Sequence, residues 1–148
     1  MVESIKHINN GNCPKCDIIF DAYPNFHVGL RLWFKAFQKD HTEAHISCAG
    51  RGEEEQDALF FKKATRAVWT KSAHNYNAAI DIFCVILGSP DIYDIDWFNN
   101  VLDPCIPSWL TWYGRPGSPF YELPHVEIAQ WKASVLDGTF KLVEKKQG

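Results

Sequence analysis

Residues 72–87 read Ser72-Ala73-His74-Asn75-Tyr76-Asn77-Ala78-Ala79-Ile80-Asp81-Ile82-Phe83-Cys84-Val85-Ile86-Leu87, and this stretch decides the fold. Positions 78–87 are short, β-branched and almost wholly apolar, the pattern of a buried strand. One charge, Asp81, interrupts them. A lone carboxylate there costs on the order of several kcal/mol unless it is paired or bound to a metal. The strand therefore predicts both a core and a site built into it.

Upstream, positions 44–49 read as a short strand leading into Gly50-Arg51-Gly52. Glu53-Glu54-Glu55 followed by Ala58-Leu59-Phe60-Phe61 and Lys62-Lys63 places acids at the start and bases at the end of a helix, as its dipole prefers. Further upstream, Phe26, Leu30, Trp33, Phe34 and Phe37 fall on one helical face, with Asn25 as the expected cap. Residues 1–24 are polar and irregular. Downstream, Asp94 or Asp96 caps a short helix through Trp97, Phe98, Val101 and Leu102, which should stop before Pro104. Five of the eight prolines lie within 103–124, predicting a long, stiff, aromatic loop at the rim of a site. Positions 125–130 alternate as a strand, and a last helical turn over 133–137 stops at Gly138. The elements mix without a βαβ rhythm. The fold class is α+β: a small antiparallel sheet with packed helices, in one domain over 1–148.

Composition narrows the function. The chain has 148 residues, 46% hydrophobic and 22% charged, which excludes a disordered or collagen-like protein. Six Trp, five Tyr and ten Phe must fill a core and line a groove. A net charge of −3 argues against nucleic acid as the main partner. No apolar run is long enough to span a membrane. The opening residues lack the basic and apolar regions of a signal peptide, so none is expected. Five cysteines, an odd number, read as reduced thiols of a cytosolic product.

Asp81 has histidines to meet. His74 enters the same strand seven residues earlier, and His125 opens the later strand. Two imidazole nitrogens and a carboxylate oxygen make a zinc set with the fourth position open. The plainer account is that His74 caps a loop while Asp81 pairs with Arg51 or Lys71. Glu122, three residues before His125 in Glu122-Leu123-Pro124-His125, is placed to take the proton of a water activated at zinc. Its plainer account is a surface Glu.

Ser72-x-His74-x-x-x-x-Ala79-x-Asp81, followed some forty residues on by Glu122-x-x-His125, resembles the zinc D-alanyl-D-alanine carboxypeptidase family. That family includes the vancomycin-resistance D,D-dipeptidases and the phage L-alanyl-D-glutamate endopeptidases. The resemblance covers roughly residues 44–130. It implies zinc bound by His74, Asp81 and His125, Glu122 as general base, Ser72 holding substrate and Arg51 stabilising the polarised carbonyl. The implied fold is the small antiparallel sheet with packed helices that this family shares with hedgehog-like signalling domains. Asn77 stands where the family has Gly; Asn is the best substitute where φ is positive. Val126 stands where the dipeptidases have Trp, which favours the endopeptidase branch. Together with the short single domain and the expected lack of a signal peptide, the resemblance implies a monomeric phage endolysin acting on the peptidoglycan stem peptide, most simply at L-Ala-D-Glu. It would wait in the host bacterial cytoplasm until released to the cell wall.

Other readings stay open. The same chemistry serves a D-Ala-D-Ala carboxypeptidase or dipeptidase. The same fold serves catalytically silent, zinc-containing binding domains. Cys13-x-x-Cys16 alone is a weak metal or redox signal, with His7 or His27 as possible completing ligands, and reads by default as loop cysteines. Cys48, Cys84 and Cys105 read as small core residues, and His41 and His45 as surface or capping groups. Glu127 alternates onto the face of His125 and can orient it. Trp109, Trp112, Tyr113, Phe120 and Tyr121 are candidate substrate walls.

Overall fold

The buried strand predicted around Asp81 is the second of a four-stranded antiparallel sheet in the computed structural model, which describes residues 13–118 and 121–144. In chain order the elements are α1 (Pro14–Asp21), α2 (Val28–Asp40), β1 (Ala44–Cys48), α3 (Glu53–Phe61), a 3-10 turn (Ala73–Tyr76), β2 (Ala79–Cys84), α4 (Ile95–Trp97), β3 (Leu110–Trp112), β4 (His125–Ile128) and α5 (Trp131–Leu136). Strand order is β1-β2-β4-β3. The α+β expectation holds.

The sheet divides its two faces by alternation. Ile80, Ile82 and Val126 are fully buried and belong to the same core as Phe20, Leu30, Phe34 and Trp112. On the other face a single row runs across three strands: Cys48 pairs with Asp81, and Asp81 with His125. Directly opposed residues share a face, so this row places three reactive side chains together. The register shifts between Ile46 and Cys48, and that irregularity brings Cys48 opposite Asp81.

α2 presents Leu30, Phe34 and Phe37 to the core. Each buried side chain of this size contributes roughly 1.5–3 kcal/mol. Its cap is His27, whose Nδ1 accepts the Leu30 N–H at 3.0 Å, and not Asn25. Phe26 therefore lies outside the helix, buried against Phe20. Residues before 24 are not all irregular: α1 begins with Pro14 in its first turn and Cys13 as cap. Its buried stripe is only Cys16 and Phe20, too sparse to read as a helical period.

Asp94 Oδ1 caps α4 by accepting from Asp96 and Trp97. The chain then widens into a π turn, Phe98–Leu102, and tightens into a 3-10 turn, Asp103–Cys105, that carries Pro104. The helical path thus passes through Pro104 instead of stopping before it. Within the long loop, β3 adds a strand that the surrounding prolines hid. Cys105 is exposed, which corrects its assignment to the core. The last helix stops as expected, with Gly138 at φ +84°. No helix among the described residues is long and apolar enough to cross a membrane.

Candidate active site

The turn before β2 places His74. Ser72 Oγ accepts the His74 N–H at 3.3 Å and so caps the 3-10 turn. Asn77 ends that turn at φ +58°, as the sequence predicts for an Asn standing in for Gly. Gly50 lies against it: a Cβ there would come within 2.8 Å of Asn77 Oδ1 and 2.4 Å of the Tyr23 ring. Asn75, fully buried, ties the surrounding loops together. Its Oδ1 accepts from the Thr70 and Ser72 N–H groups, and its Nδ2 donates to the Arg51 carbonyl and Gln56 Oε1. All its hydrogen-bonding capacity is used, which makes it a rigid post.

His74, Asp81 and His125 come together. His74 Nε2 lies 3.2 Å from Asp81 Oδ1, and His125 Nδ1 lies 3.4 Å from the same oxygen. The other nitrogen of each ring is already engaged. His74 Nδ1 is 2.7 Å from the Ala49 carbonyl oxygen, and His125 Nε2 is 2.7 Å from Glu127 Oε1. Those nitrogens must carry hydrogen, since their partners can only accept. In the neutral rings, the nitrogens facing Asp81 then hold lone pairs. Lone pairs opposed to a carboxylate require protons or a cation between them.

The two contacts on Asp81 fit zinc, and beside them the donor atoms of Cys48, His74 and Asp81 all lie within 4.8 Å of one another. Ligands at 2.0–2.2 Å around a tetrahedral ion lie about 3.3 Å apart, close to both contacts on Asp81. The hydrogen bonds on the outer nitrogens fix each ring for ligation. Without a cation, protons take its place. Burial opposes charge on His74, but Cys48 and Asp81 together raise its pKa well above the ordinary value. Burial likewise opposes charge on His125, while Asp81 and Glu127 raise its pKa. Burial would raise the Asp81 pKa, yet the two histidines hold it well below the carboxylate range.

Glu122 lies beside His125, its side chain 49% exposed and its Oε2 3.6 Å from His125 Nδ1. The 122–125 turn is closed by the His125 N–H donating to the Glu122 carbonyl. Arg51 is buried beside the row, with Nη2 3.7 Å from Asp81 Oδ2 and 3.6 Å from Cys48 Sγ. Its Nη1 donates to Gln56 Oε1. Arg51 is thus the pairing partner of Asp81, and Lys71 is exposed. Ser72 reaches the site through the turn it caps.

Cys48, Tyr113 and His45 stand differently from their sequence assignments. Cys48 is no inert core thiol: its Sγ lies 3.7 Å from His74 Nδ1, and Cys48, His74 and Asp81 form a group of metal-ligating type. Burial raises the Cys48 pKa, but His74 and Arg51 bring it below the ordinary value. Tyr113 stacks on His125 at 5.2 Å and donates its hydroxyl to Glu127 Oε2 at 2.9 Å, so it supports the ring from below. His45 is fully buried and lies beside Cys16, neither surface nor cap. Of the other proposed walls, Trp112 is core, Trp109 and Tyr121 are exposed, and Phe120 lies outside the described residues, as does His7. His27 caps α2 and is not a partner of the Cys13/Cys16 pair.

No protein-family model and no curated protein sequence matches this chain. Among solved structures the fold is similar to that of the Serratia marcescens L-Ala D-Glu endopeptidase ChiX. The TM-score is 0.61 over 90% of this chain and 98% of that one, at 13% identity. At that identity the likeness is one of fold.

Proposed function

We propose that this protein is a zinc-dependent peptidoglycan peptidase that hydrolyses the L-Ala-D-Glu bond of the stem peptide. The observation that carries the reading is the convergence of His74 Nε2 and His125 Nδ1 on one oxygen of Asp81, with both outer ring nitrogens engaged. The fold shared with an L-Ala D-Glu endopeptidase supports the choice of bond.

His74, Asp81 and His125 would hold zinc, which when bound supplies a Lewis acid and lowers the pKa of water toward ~7. Glu122, exposed beside His125, takes a proton from the attacking water and returns it to the departing nitrogen. An amine cannot leave as its anion at neutral pH, so this return is required. Arg51 offers a permanent charge to the substrate's carbonyl oxygen or carboxylate from beside Asp81. Ser72 holds His74 in place through its cap and lies within the same turn for contact with substrate. Glu127 and Tyr113 fix the His125 ring.

The reading extends to a monomeric phage-type lysin held in the host cytoplasm before lysis; Val126 after His125 supports only its endopeptidase part. The deciding experiment is digestion of purified peptidoglycan by the zinc-loaded protein, with mass analysis of the released ends. New N-terminal D-Glu and C-terminal L-Ala ends are expected. Release of D-Ala would reassign the protein as a D,D-carboxypeptidase, and intact peptidoglycan would favour a silent binding domain.

A further inference from the structure

A second cluster of ligand-type side chains lies apart from the row on the sheet. Cys13, Cys16 and His45 are all fully buried, and one donor atom from each falls within 4.8 Å of the others. We propose that these three residues bind a structural zinc ion that staples α1 to β1.

The local sequence builds the pair. Pro14 opens α1, and Cys13 caps it by accepting the Cys16 N–H on Sγ at 3.2 Å. A cap residue and the third helical residue lie side by side, so a Cys-x-x-Cys at this place presents both sulfurs together. His45 arrives from β1, with its Nδ1 3.8 Å from Cys16 Sγ. Around tetrahedral zinc, with Zn–S about 2.3 Å and Zn–N about 2.0–2.1 Å, sulfur and nitrogen stand about 3.6 Å apart. The contact is therefore close to the spacing that ligation needs.

The surroundings suit a thiolate-bound cation. Gln38, fully buried on α2, donates Nε2 to Cys16 Sγ at 3.5 Å and to the Ala44 carbonyl at 2.8 Å. An N–H aimed at a ligating sulfur is the outer support such sites use. Two thiolates and an imidazole select zinc over magnesium or calcium, which prefer oxygen. The described residues supply three of the four positions of a tetrahedral ion. Binding releases the two thiol protons to solvent and needs no redox partner.

The staple has a consequence for the site. His45 precedes Cys48 by three positions and Arg51 by six. Fixing β1 to α1 at His45 fixes the strand end that presents both. This proposal stands independently of the peptidase reading, because it uses none of the same residues.

The test is made on the full chain in a Cys48→Ser background, so that no thiolate near His74 contributes. Metal content is measured, and zinc is replaced by cobalt(II), whose bonds to thiolate give a charge-transfer absorption. With His74→Ala added, one equivalent and the charge-transfer band should remain. With Cys16→Ser added, the band should vanish and one equivalent should be lost. His45→Cys should keep the metal and strengthen the band, which guards against a folding failure in Cys16→Ser. The proposal is overturned if the His74→Ala protein carries no metal with its thiols free, or if the band survives Cys16→Ser. A Cys13–Cys16 disulfide in the purified protein, found by alkylation and mass spectrometry, overturns it as well.

Discussion

Asp81 and His125 are direct cross-strand partners on β2 and β4, and Asp81 Oδ1 lies 3.4 Å from His125 Nδ1. A ladder of backbone hydrogen bonds thus holds carboxylate and imidazole at the spacing that ligation of one ion would need. His74 reaches the same oxygen from the 3-10 turn at the strand's start. Such preformed geometry lowers the ordering cost of binding.

Removing the charge of Asp81 tests this directly. Asp81→Asn keeps the shape but loses the anion that faces both histidines and Arg51. Zinc affinity should fall by more than roughly 100-fold, beyond the range typical of an outer-shell change. Competition with a chelator measures it, and circular dichroism checks that the fold persists.

The same triad sets a pH dependence in the metal-free protein. The His74 and His125 pKa values are raised in the folded state, so their contribution is full below the ordinary 6.5 and is lost as pH rises through the raised values. That of Asp81 is lowered, so its contribution is present above the ordinary 3.8 and is lost as pH falls. Thermal stability without metal should therefore peak in mild acid and decline on the alkaline side. Zinc must displace the imidazolium protons, so the gain in melting temperature on adding zinc should grow with pH. Melting curves from about pH 4 to 9, with and without zinc, check both trends.

Much of this was legible because burial and charge conflict locally. Asp81 inside an apolar run announces a partner, and the two histidines at the strand ends are the obvious ones. Asn77 announces a left-handed turn. What could not be read depends on register. Cys48 meets His74 and Asp81 only because β1 shifts register after Ile46, and no spacing in the sequence encodes that shift. Tyr113 supports His125 because β3 pairs with β4, and β3 is three residues long among prolines. Asn75 and Gln56 carry no signal in the sequence, because a buried amide network shows only when its partners are in place.

Arg51 is held by Gln56 and faces Asp81, so Arg51→Ala should do two separable things. Loss of the buried guanidinium should cost about 1–3 kcal/mol of stability. Turnover on peptidoglycan should fall while zinc content stays near wild type. Chemical denaturation, metal analysis and single-turnover rates read the three quantities. Loss of zinc together with activity would make Arg51 a structural support of Asp81 instead.

Glu122→Gln keeps size and polarity but cannot accept a proton. Its side chain is half exposed, so fold and zinc content should be unchanged. The rate of peptidoglycan cleavage should drop by roughly 10²–10⁴-fold, the usual worth of general acid–base catalysis. A wild-type rate would remove Glu122 from the mechanism.

Glu127 is the second glutamate at the site, and its geometry assigns it different work. Its Oε1 lies 2.7 Å from His125 Nε2, its Oε2 accepts from Tyr113, and its side chain is 8% exposed. It faces the outer edge of the imidazole, away from the nitrogen turned to Asp81. Glu127→Gln retains an acceptor but removes the charge that supports the ring. Zinc affinity should fall about 10–100-fold, as for other outer-shell partners of a ligating histidine. At saturating zinc the cleavage rate should recover most of its wild-type value, which Glu122→Gln should not. Rates measured across a zinc titration separate the two variants. If Glu127→Gln binds zinc normally and stays slow at saturation, Glu127 is the base and the roles of the two carboxylates are exchanged.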